Sequence, residues 1–379
     1  MLRGLFSKSV VGVAMLFLVS PVFVWGQEIH QDLQETIKGE VLEIVTETER
    51  EVTGTDTMTS VQELRVELTS GDRSGEVVSI TSEVVRLEEG DKIFVNRLVT
   101  IDGREFFTYA DFERRPVLAV VFIIFVAMLL FFSRWQGVRA LLSLGASILA
   151  ILFVLVPALL AGYDATFTTI GIAAVILAVA LFGTHGINPR SVIAFLGTYG
   201  AVLMTALIAF PSVHIMRLTG FSNDAAVYLN FATNGTLDLT GLLLGSIIIG
   251  ILGALDDVSI TQVSVVEELK GANPNFTFAD LYNRASVVGR NHIGSLVNTL
   301  AFAYAAVSLP LILLYAKTGN SWMTVLNQEV VAAELLRIII GSIGLIMAVP
   351  ATTAAAAWWY KDKIVDNHGE SSHAHHHHH

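Results

Sequence analysis

The sequence predicts a polytopic α-helical membrane bundle with a small N-terminal all-β domain outside the cytoplasm. Three observations support this fold class. Of the 379 residues, 53% are hydrophobic and only 15% are charged, long apolar runs follow residue 116, and an acidic segment with alternating polarity precedes them. This composition is typical of integral membrane proteins. The chain has no cysteine, which excludes disulfides, thiolate catalysis and cysteine-ligated metals.

Residues 1–26 have the pattern of a signal peptide. Arg3 and Lys8 precede an apolar core from Val10 to Val24, and Gly26 is a small residue at the expected cleavage position. An uncleaved anchor helix is the alternative, although the apolar core is short for a stable span. Both interpretations predict that the following residues are exported.

Residues 27–115 form the predicted extracytoplasmic β domain. They contain 21 acidic and 10 basic residues, so this segment accounts for the whole net charge of −11. From Glu63 to Leu68, apolar and charged residues alternate with the period of a half-buried strand. Further strands are predicted at 40–45, 76–84 and 92–98, with a hairpin loop at 70–75. We expect a small antiparallel barrel or sandwich, whose acidity argues against binding nucleic acid.

Residues 116–361 form the predicted membrane domain. Seven apolar stretches are each long enough to cross a bilayer of about 30 Å: 116–133, 138–160, 166–183, 190–211, 237–257, 292–316 and 333–358. Basic residues concentrate in alternate loops and near the C-terminus, which predicts a cytoplasmic C-terminus. We therefore expect a multi-pass protein of the cell membrane in contact with the lipid bilayer.

The fifth predicted span ends in two adjacent acids, Asp256 and Asp257, within the run GALDDVSITQ. Gly250 and Gly253 precede them, and Ser259 and Gln262 follow at the spacing of a capping box, so the helix is expected to break here and to restart as a second, amphipathic half-helix. One face of that continuation is polar, with spacings of four, three and four residues: Asp257, Thr261, Ser264 and Glu268.

A second polar stripe begins the sixth predicted span, and we expect it to meet the first. Intramembrane polar groups without partners are costly, so such a meeting is a candidate functional site. The alternative is that the acids cap a helix at the membrane surface and pair with Arg290. Nearby, the turn Thr184-His185-Gly186 either lines an entrance or is a solvated loop. The candidate substrate or ion site comprises Asp256, Asp257, Thr261, Gln262, Arg290, Asn291, His292, Ser295 and Asn298.

Two runs carry a family resemblance, residues 253–262 and the segment from Gly289 to Leu300 that contains GRNHI and VNTL. They resemble the YibE/F-like bacterial membrane proteins over residues 100–379 less the tail. Some members have a Met-Asp pair where this chain has Leu255-Asp256, and they lack the second acid. The resemblance implies a multi-span topology and the location of the site, and it implies no particular chemistry.

The chain ends in a histidine-rich tail, residues 362–379, predicted to be flexible and cytoplasmic. Either it is a purification tag, or it is native and would bind a divalent transition metal, the one candidate cofactor. The imidazoles concerned are His373, His375, His376, His377, His378 and His379.

The polar stripes favour a permease or channel-like protein that moves a cation or small solute through the inner half of the bundle. The alternative is a membrane-anchored sensor or scaffold whose exported domain binds an envelope partner through residues 27–115. A homo-oligomer is compatible with both. We do not expect an enzyme, because adjacent helical acids point about 100° apart and cannot converge on one water.

Overall fold

The structure is a computed structural model that describes residues 33–51, 58–83, 85–100, 104–319 and 321–363. The predicted signal peptide, residues 1–26, and the histidines of the tail lie outside the described residues. The chain divides into two compact units between Phe132 and Ser133, and each is described by itself.

Five strands close into a small barrel in the order β1-β2-β3-β5-β4. They are β1 Leu33–Glu51, β2 Met58–Leu68, β3 Val77–Ser82, β4 Lys92–Val99 and β5 Glu105–Phe112. Alternate residues of β2 point inward, which buries Leu64, Val66 and Leu68, as the period of two predicts. The expected antiparallel barrel or sandwich is thus a barrel, with one parallel pair between β3 and β5.

Strand β1 makes the closure possible because it is long enough to pair with both β2 and β4. It spans 19 residues and contains irregularities between Val41 and Glu43 and between Ile44 and Thr46, which bend it around the core. Gly39 of β1 leaves room for a neighbouring side chain, because a Cβ there would collide with Val66 of β2. The strand β5 was not predicted, because its aromatic residues Phe106, Phe107, Tyr109 and Phe112 do not alternate with polar residues at a period of two.

The second unit is a helical bundle in which α4, α6 and α10 pack along one another, with α3 against α6 and α7 against α10. Helix α1, which begins before this unit, continues through a π-helical turn at Ile151–Leu155 into α2. The helices are α1 Arg115–Ala150, α2 Val156–Leu160, α3 Ala165–His185, α4 Pro189–Ile215, α5 Asp224–Ala232, α6 Leu239–Ala272, α7 Phe278–Val307, α8 Leu309–Lys317, α9 Trp322–Leu326 and α10 Glu329–Tyr360.

Small residues let the central helices approach closely, as their spacing predicts. A Cβ on Gly197 of α4 would collide with Thr352 of α10, and one on Gly245 of α6 would lie 2.6 Å from Thr169 Oγ1 of α3. The core that results lies midway along the bundle and contains Leu177, Val202, Ile251, Leu255 and Leu345.

Five helices in the described residues are long and apolar enough to cross a membrane, or six if the bent pair α7 and α8 counts as one span. The first of them runs from Arg115 to Leu160, and its backbone leaves helical geometry at Arg134, with φ 46° and ψ −126°. That residue lies in the first predicted loop, 134–137. The apolar helices indicate a multi-pass membrane protein, and the count of seven spans and the orientation stay predictions.

Candidate functional site

Helix α6 carries most of the candidate site, and it is continuous. It runs from Leu239 to Ala272 with Asp238 as its N-cap, so the predicted break after Gly253 is wrong. The two residues expected to form a capping box instead join α6 to α10. Ser259 Oγ lies 3.2 Å from Thr352 Oγ1, and Gln262 Oε1 accepts a hydrogen bond of 2.9 Å from Thr353. Side-chain partners on a packed helix therefore replace the expected turn.

The predicted polar face of α6 lines a cavity of about 770 Å³. Asp257, Thr261, Ser264 and Glu268 all contribute to its wall, as their helical spacing predicts. The facing wall comes from His185 at the end of α3, Arg190 at the start of α4, and Gln136. We call this space the α3–α4 turn cavity, because the turn between those helices closes one side of it.

The charges around the α3–α4 turn cavity leave two carboxylates unpaired. Arg190 Nε lies 2.5 Å from Glu267 Oε2, so the guanidinium already has an acidic partner on α6. Asp257 and Glu268 form no ion pair with any residue that the structure describes. Two unpaired acids at the edge of an apolar bundle are costly, and a positive charge beside them would offset that cost.

Asp256 faces a different space from its neighbour. It lines a cavity of about 320 Å³ between α1, α3 and α6, together with Ser143, Ser147 and Thr184. The two adjacent acids therefore diverge, as the angle of about 100° between successive helical side chains requires. They do not converge on one water molecule as an aspartyl dyad would.

The polar stripe of α7 does not meet that of α6, so the expected common site is not formed. The face of α7 that packs into the bundle is apolar, and it contains Ile293, Leu296 and Leu300. The stripe lies on the other side of the helix, because its members are offset by about half a turn from that face. All five are exposed, and none lines either cavity: Arg290, Asn291, His292, Ser295 and Asn298.

The alternative pairing of the acids with Arg290 is also wrong, since no ion pair between them exists among the described residues. The residues that face Asp257 and Glu268, His185 and Arg190, are not among the predicted site residues. Arg190 is one of the basic residues near the predicted loops, and His185 belongs to the turn 184–186. Because α3 and α4 are joined by only three residues, 186–188, both belong to the same end of the bundle. That proximity in sequence was the available signal.

A third cavity, of about 1100 Å³, opens at the opposite end of the same three helices. Its lining includes Asp164 at the start of α3, His214 at the end of α4, and Asp238 and Leu244 on α6. We call it the distal cavity. Between Leu244 and Asp257 the helix rises about 20 Å. That interval is filled by fully buried apolar residues, among them Ile248, Ile251 and Leu255.

Metal ligation finds no support in the described residues, which contain no group of three or more His, Asp or Glu side chains placed to hold an ion. Another candidate feature is the pair Glu334 and Arg337, in which Nη1 of the guanidinium lies 2.6 Å from Oε1. Arg337 also donates to Ser246 on α6 at 3.1 Å. The ion pair lies within α10, and the hydrogen bond to Ser246 joins α10 to α6.

The amino-acid sequence of this region is similar to that of a known protein family. The family described as YibE/F-like protein matches residues 121–362, which include α3, α4, α6, α7 and α10. Neither the curated proteins nor the solved structures contain a match to this chain.

Proposed function

The chain belongs to the YibE/F-like protein family, and we propose that it is a permease or channel-like membrane protein for a cation or small solute. One observation carries the proposal. The distal cavity and the α3–α4 turn cavity open at opposite ends of α3, α4 and α6, with an apolar layer between them. Two aqueous vestibules separated by an apolar constriction are what a gated path through a membrane requires.

The charges in the α3–α4 turn cavity support a cation as the substrate. Asp257 and Glu268 lie 11 residues apart, about 16 Å along the helix, so they supply negative charge at two depths. Arg190 is held by Glu267 and therefore leaves these acids free to interact with a mobile cation. His185, Thr261 and Ser264 add neutral donors and acceptors that replace water around an ion.

Flux into proteoliposomes tests the proposal. Purified protein is reconstituted, and uptake of a panel of monovalent and divalent cations is compared with uptake into empty vesicles. We expect the double substitution Asp257→Asn and Glu268→Gln to reduce uptake at least about tenfold, since removing both charges forfeits about 1.4 kcal/mol or more of ion stabilisation. The matched control is Asp224→Asn, an exposed acid on α5 outside the cavities.

A second set of variants addresses the apolar layer. Leu255→Ala shortens a fully buried side chain between the two cavities and should increase passive leak through the protein. The proposal would be refuted if uptake of every cation were equal in empty and protein-containing vesicles. It would also be refuted if the double substitution left uptake unchanged.

The alternative function, a membrane-anchored sensor or scaffold, is favoured by one feature of the barrel. Strands β1 and β2 continue to pair beyond the point where β3 ends, from Thr48 with Val61 to Glu51 with Met58. This ribbon offers β2 main-chain groups that β3 does not cover, which suits addition of a strand from a partner. Because the chain has no cysteine, Glu49→Cys in the full-length protein provides a single site for crosslinking to an envelope partner.

A further inference from the structure

The cavity that contains Asp256 differs in chemistry from the one that contains Asp257. Its lining is apolar except for Asp256 on α6 and three hydroxyl side chains, Ser143, Ser147 and Thr184. Ser143 is buried and donates its proton to the carbonyl of Val179 at 2.8 Å, which leaves the oxygen lone pairs available. Asp256 forms no ion pair and no hydrogen bond with another side chain among the residues that the structure describes. A carboxylate and hydroxyl oxygens thus share one small space.

The cavity that contains Asp256 has one negative charge and no positive charge in its lining. The lining from α1 and α3 contains no titratable side chain, and the lining from α6 contains only Asp256. The neighbouring Asp257 lies on the same helix and faces the α3–α4 turn cavity with His185 and Arg190. A lone carboxylate in an apolar space is costly, and a single positive charge removes the cost. Oxygen ligands of this kind suit a hard ion such as Na⁺, and a proton neutralises the acid directly.

We propose that Asp256 is the binding site of one monovalent cation, Na⁺ or H⁺, separate from the substrate cavity of Asp257. The proposal deepens the proposed transport function by assigning its coupling ion to the cavity between α1, α3 and α6. Binding of the ion, however, can be measured without any transport.

Thermal unfolding of the purified full-length protein tests the site in two arms. In the first arm, NaCl replaces choline chloride at constant ionic strength and constant pH. In the second, pH is lowered without Na⁺. A ligand that binds the folded state raises the unfolding midpoint. We expect a rise in one arm for the wild type and for Asp257→Asn, and no rise in that arm for Asp256→Asn. The arm that responds identifies the ion.

A second variant covers the case in which Asp256→Asn does not fold. Ser147→Ala combined with Thr184→Val retains the carboxylate and removes two hydroxyls, so a Na⁺ response should require a higher concentration while a proton response persists. An absence of response in both arms for the wild type, or equal responses in Asp256→Asn and the wild type, overturns the proposal. If Asp257→Asn abolishes flux but its unfolding midpoint still rises with the ion, the ion site of Asp256 is distinct from the substrate site of Asp257.

The exposed polar stripe of α7 supports a second, independent inference. Ile293 and Leu296 pack against the core that lies midway along the bundle, so Ser295 and Asn298 lie at that same depth on the outer side of the helix. In a membrane this position faces hydrocarbon, where an amide without a hydrogen-bond partner is costly. The segment 116–132 has no hydrogen-bonding side chain with which to cover it.

We infer that a second copy of the chain covers this stripe in a two-fold symmetric dimer, with Asn298 of each protomer close to the axis. An amide is both donor and acceptor, so identical amides related by a two-fold axis satisfy each other. Gly294 leaves open space on the same side, which permits close approach of the helices.

Disulfide crosslinking in membranes tests the dimer, because every introduced thiol is the only one in the chain. We expect Asn298→Cys and Ser295→Cys to form crosslinked dimers on mild oxidation. Leu207→Cys, an exposed position at 67% accessibility on α4, is the matched control and should remain monomeric. Equal crosslinking at all three positions, or at none, overturns the inference.

Discussion

Helices α6 and α7 both carry a polar stripe through an apolar region, and the two stripes have opposite surroundings. The stripe of α6 lines an internal cavity and faces α3 and α4. That of α7 lies on the outside of its own bundle, while the apolar side of the helix packs inward. Helical spacing shows which residues share one face of a helix, but it does not show what that face contacts. A polar residue in a spanning segment therefore indicates a site only after its neighbours in the folded structure have been identified.

The largest effect expected from this comparison concerns a buried cation on α6 and an exposed one on α7. Lys270 is 3% exposed, and its Nζ donates to the carbonyls of Pro274 at 2.7 Å, Phe276 at 3.0 Å and Lys361 at 2.6 Å. Lys270→Met should lower the free energy of unfolding by about 3 kcal/mol, since the carbonyls lose a charged donor. Arg290→Met should change it by less than about 0.5 kcal/mol. Denaturant unfolding in detergent measures the free energy of unfolding of both variants. Equal decreases would contradict the burial of Lys270 and the exposure of Arg290.

The next effect concerns the two sides of α7. A Cβ on Gly289 would collide with Val349 of α10 and lie 2.9 Å from Gln262 Nε2 of α6, whereas one on Gly294 meets open space. Gly289→Ala should therefore destabilise the bundle by about 1–3 kcal/mol through overpacking. Gly294→Ala should be neutral or stabilising by about 0.5–1 kcal/mol, because alanine favours a helix. Thermal unfolding midpoints compare them, and the reverse order would mean that α7 is rotated.

A smaller effect is expected at the two side-chain amides, Gln262 on α6 and Asn298 on α7, which should differ in what their removal weakens. Gln262 is 1% exposed and accepts from Thr353, so Gln262→Ala should cost about 1–2 kcal/mol in unfolding free energy. Thr353→Val removes the same hydrogen bond, and a double-mutant cycle should find the two changes non-additive. Asn298→Ala should instead weaken dimer formation by about 1 kcal/mol and leave the unfolding of the monomer unchanged. Additivity of the first two changes would exclude the hydrogen bond.

The smallest effect is expected in the barrel, whose charged side chains face water and serve as a reference for those of the helices. A hydrogen bond from Arg97, and then one from Arg73, lowers the pKa of Glu105 below its ordinary value of 4.5. The resulting stability is complete above pH 4.5 and is lost as pH falls through the lower folded-state pKa. Hydrogen exchange of β4 and β5 amides should therefore accelerate on acidification, and Glu105→Gln should remove that dependence. Persistence of the dependence in the variant would assign it to another group.

The parts of the structure that local pattern specifies were predictable. The alternation from Glu63 to Leu68 predicted an inward-facing β2, and the apolar lengths predicted the long helices. The spacing from Asp257 to Glu268 predicted one polar face, and that face does line a cavity. These features depend on the periods of two and 3.6 residues, which each segment carries in its own residues.

The remaining features depend on contacts between segments distant in sequence. Two glycines before Asp256 indicated a break, but α6 is continuous there. Its Ser259 and Gln262 pair with Thr352 and Thr353 of α10, which lie 93 and 91 residues away in sequence. Likewise, only packing decided that α7 turns its polar stripe outward and that His185 and Arg190 face Asp257. Residue spacing determines which side chains share a face of a helix. The free energy of burying the most complementary surfaces, summed over all helices, decides which faces meet.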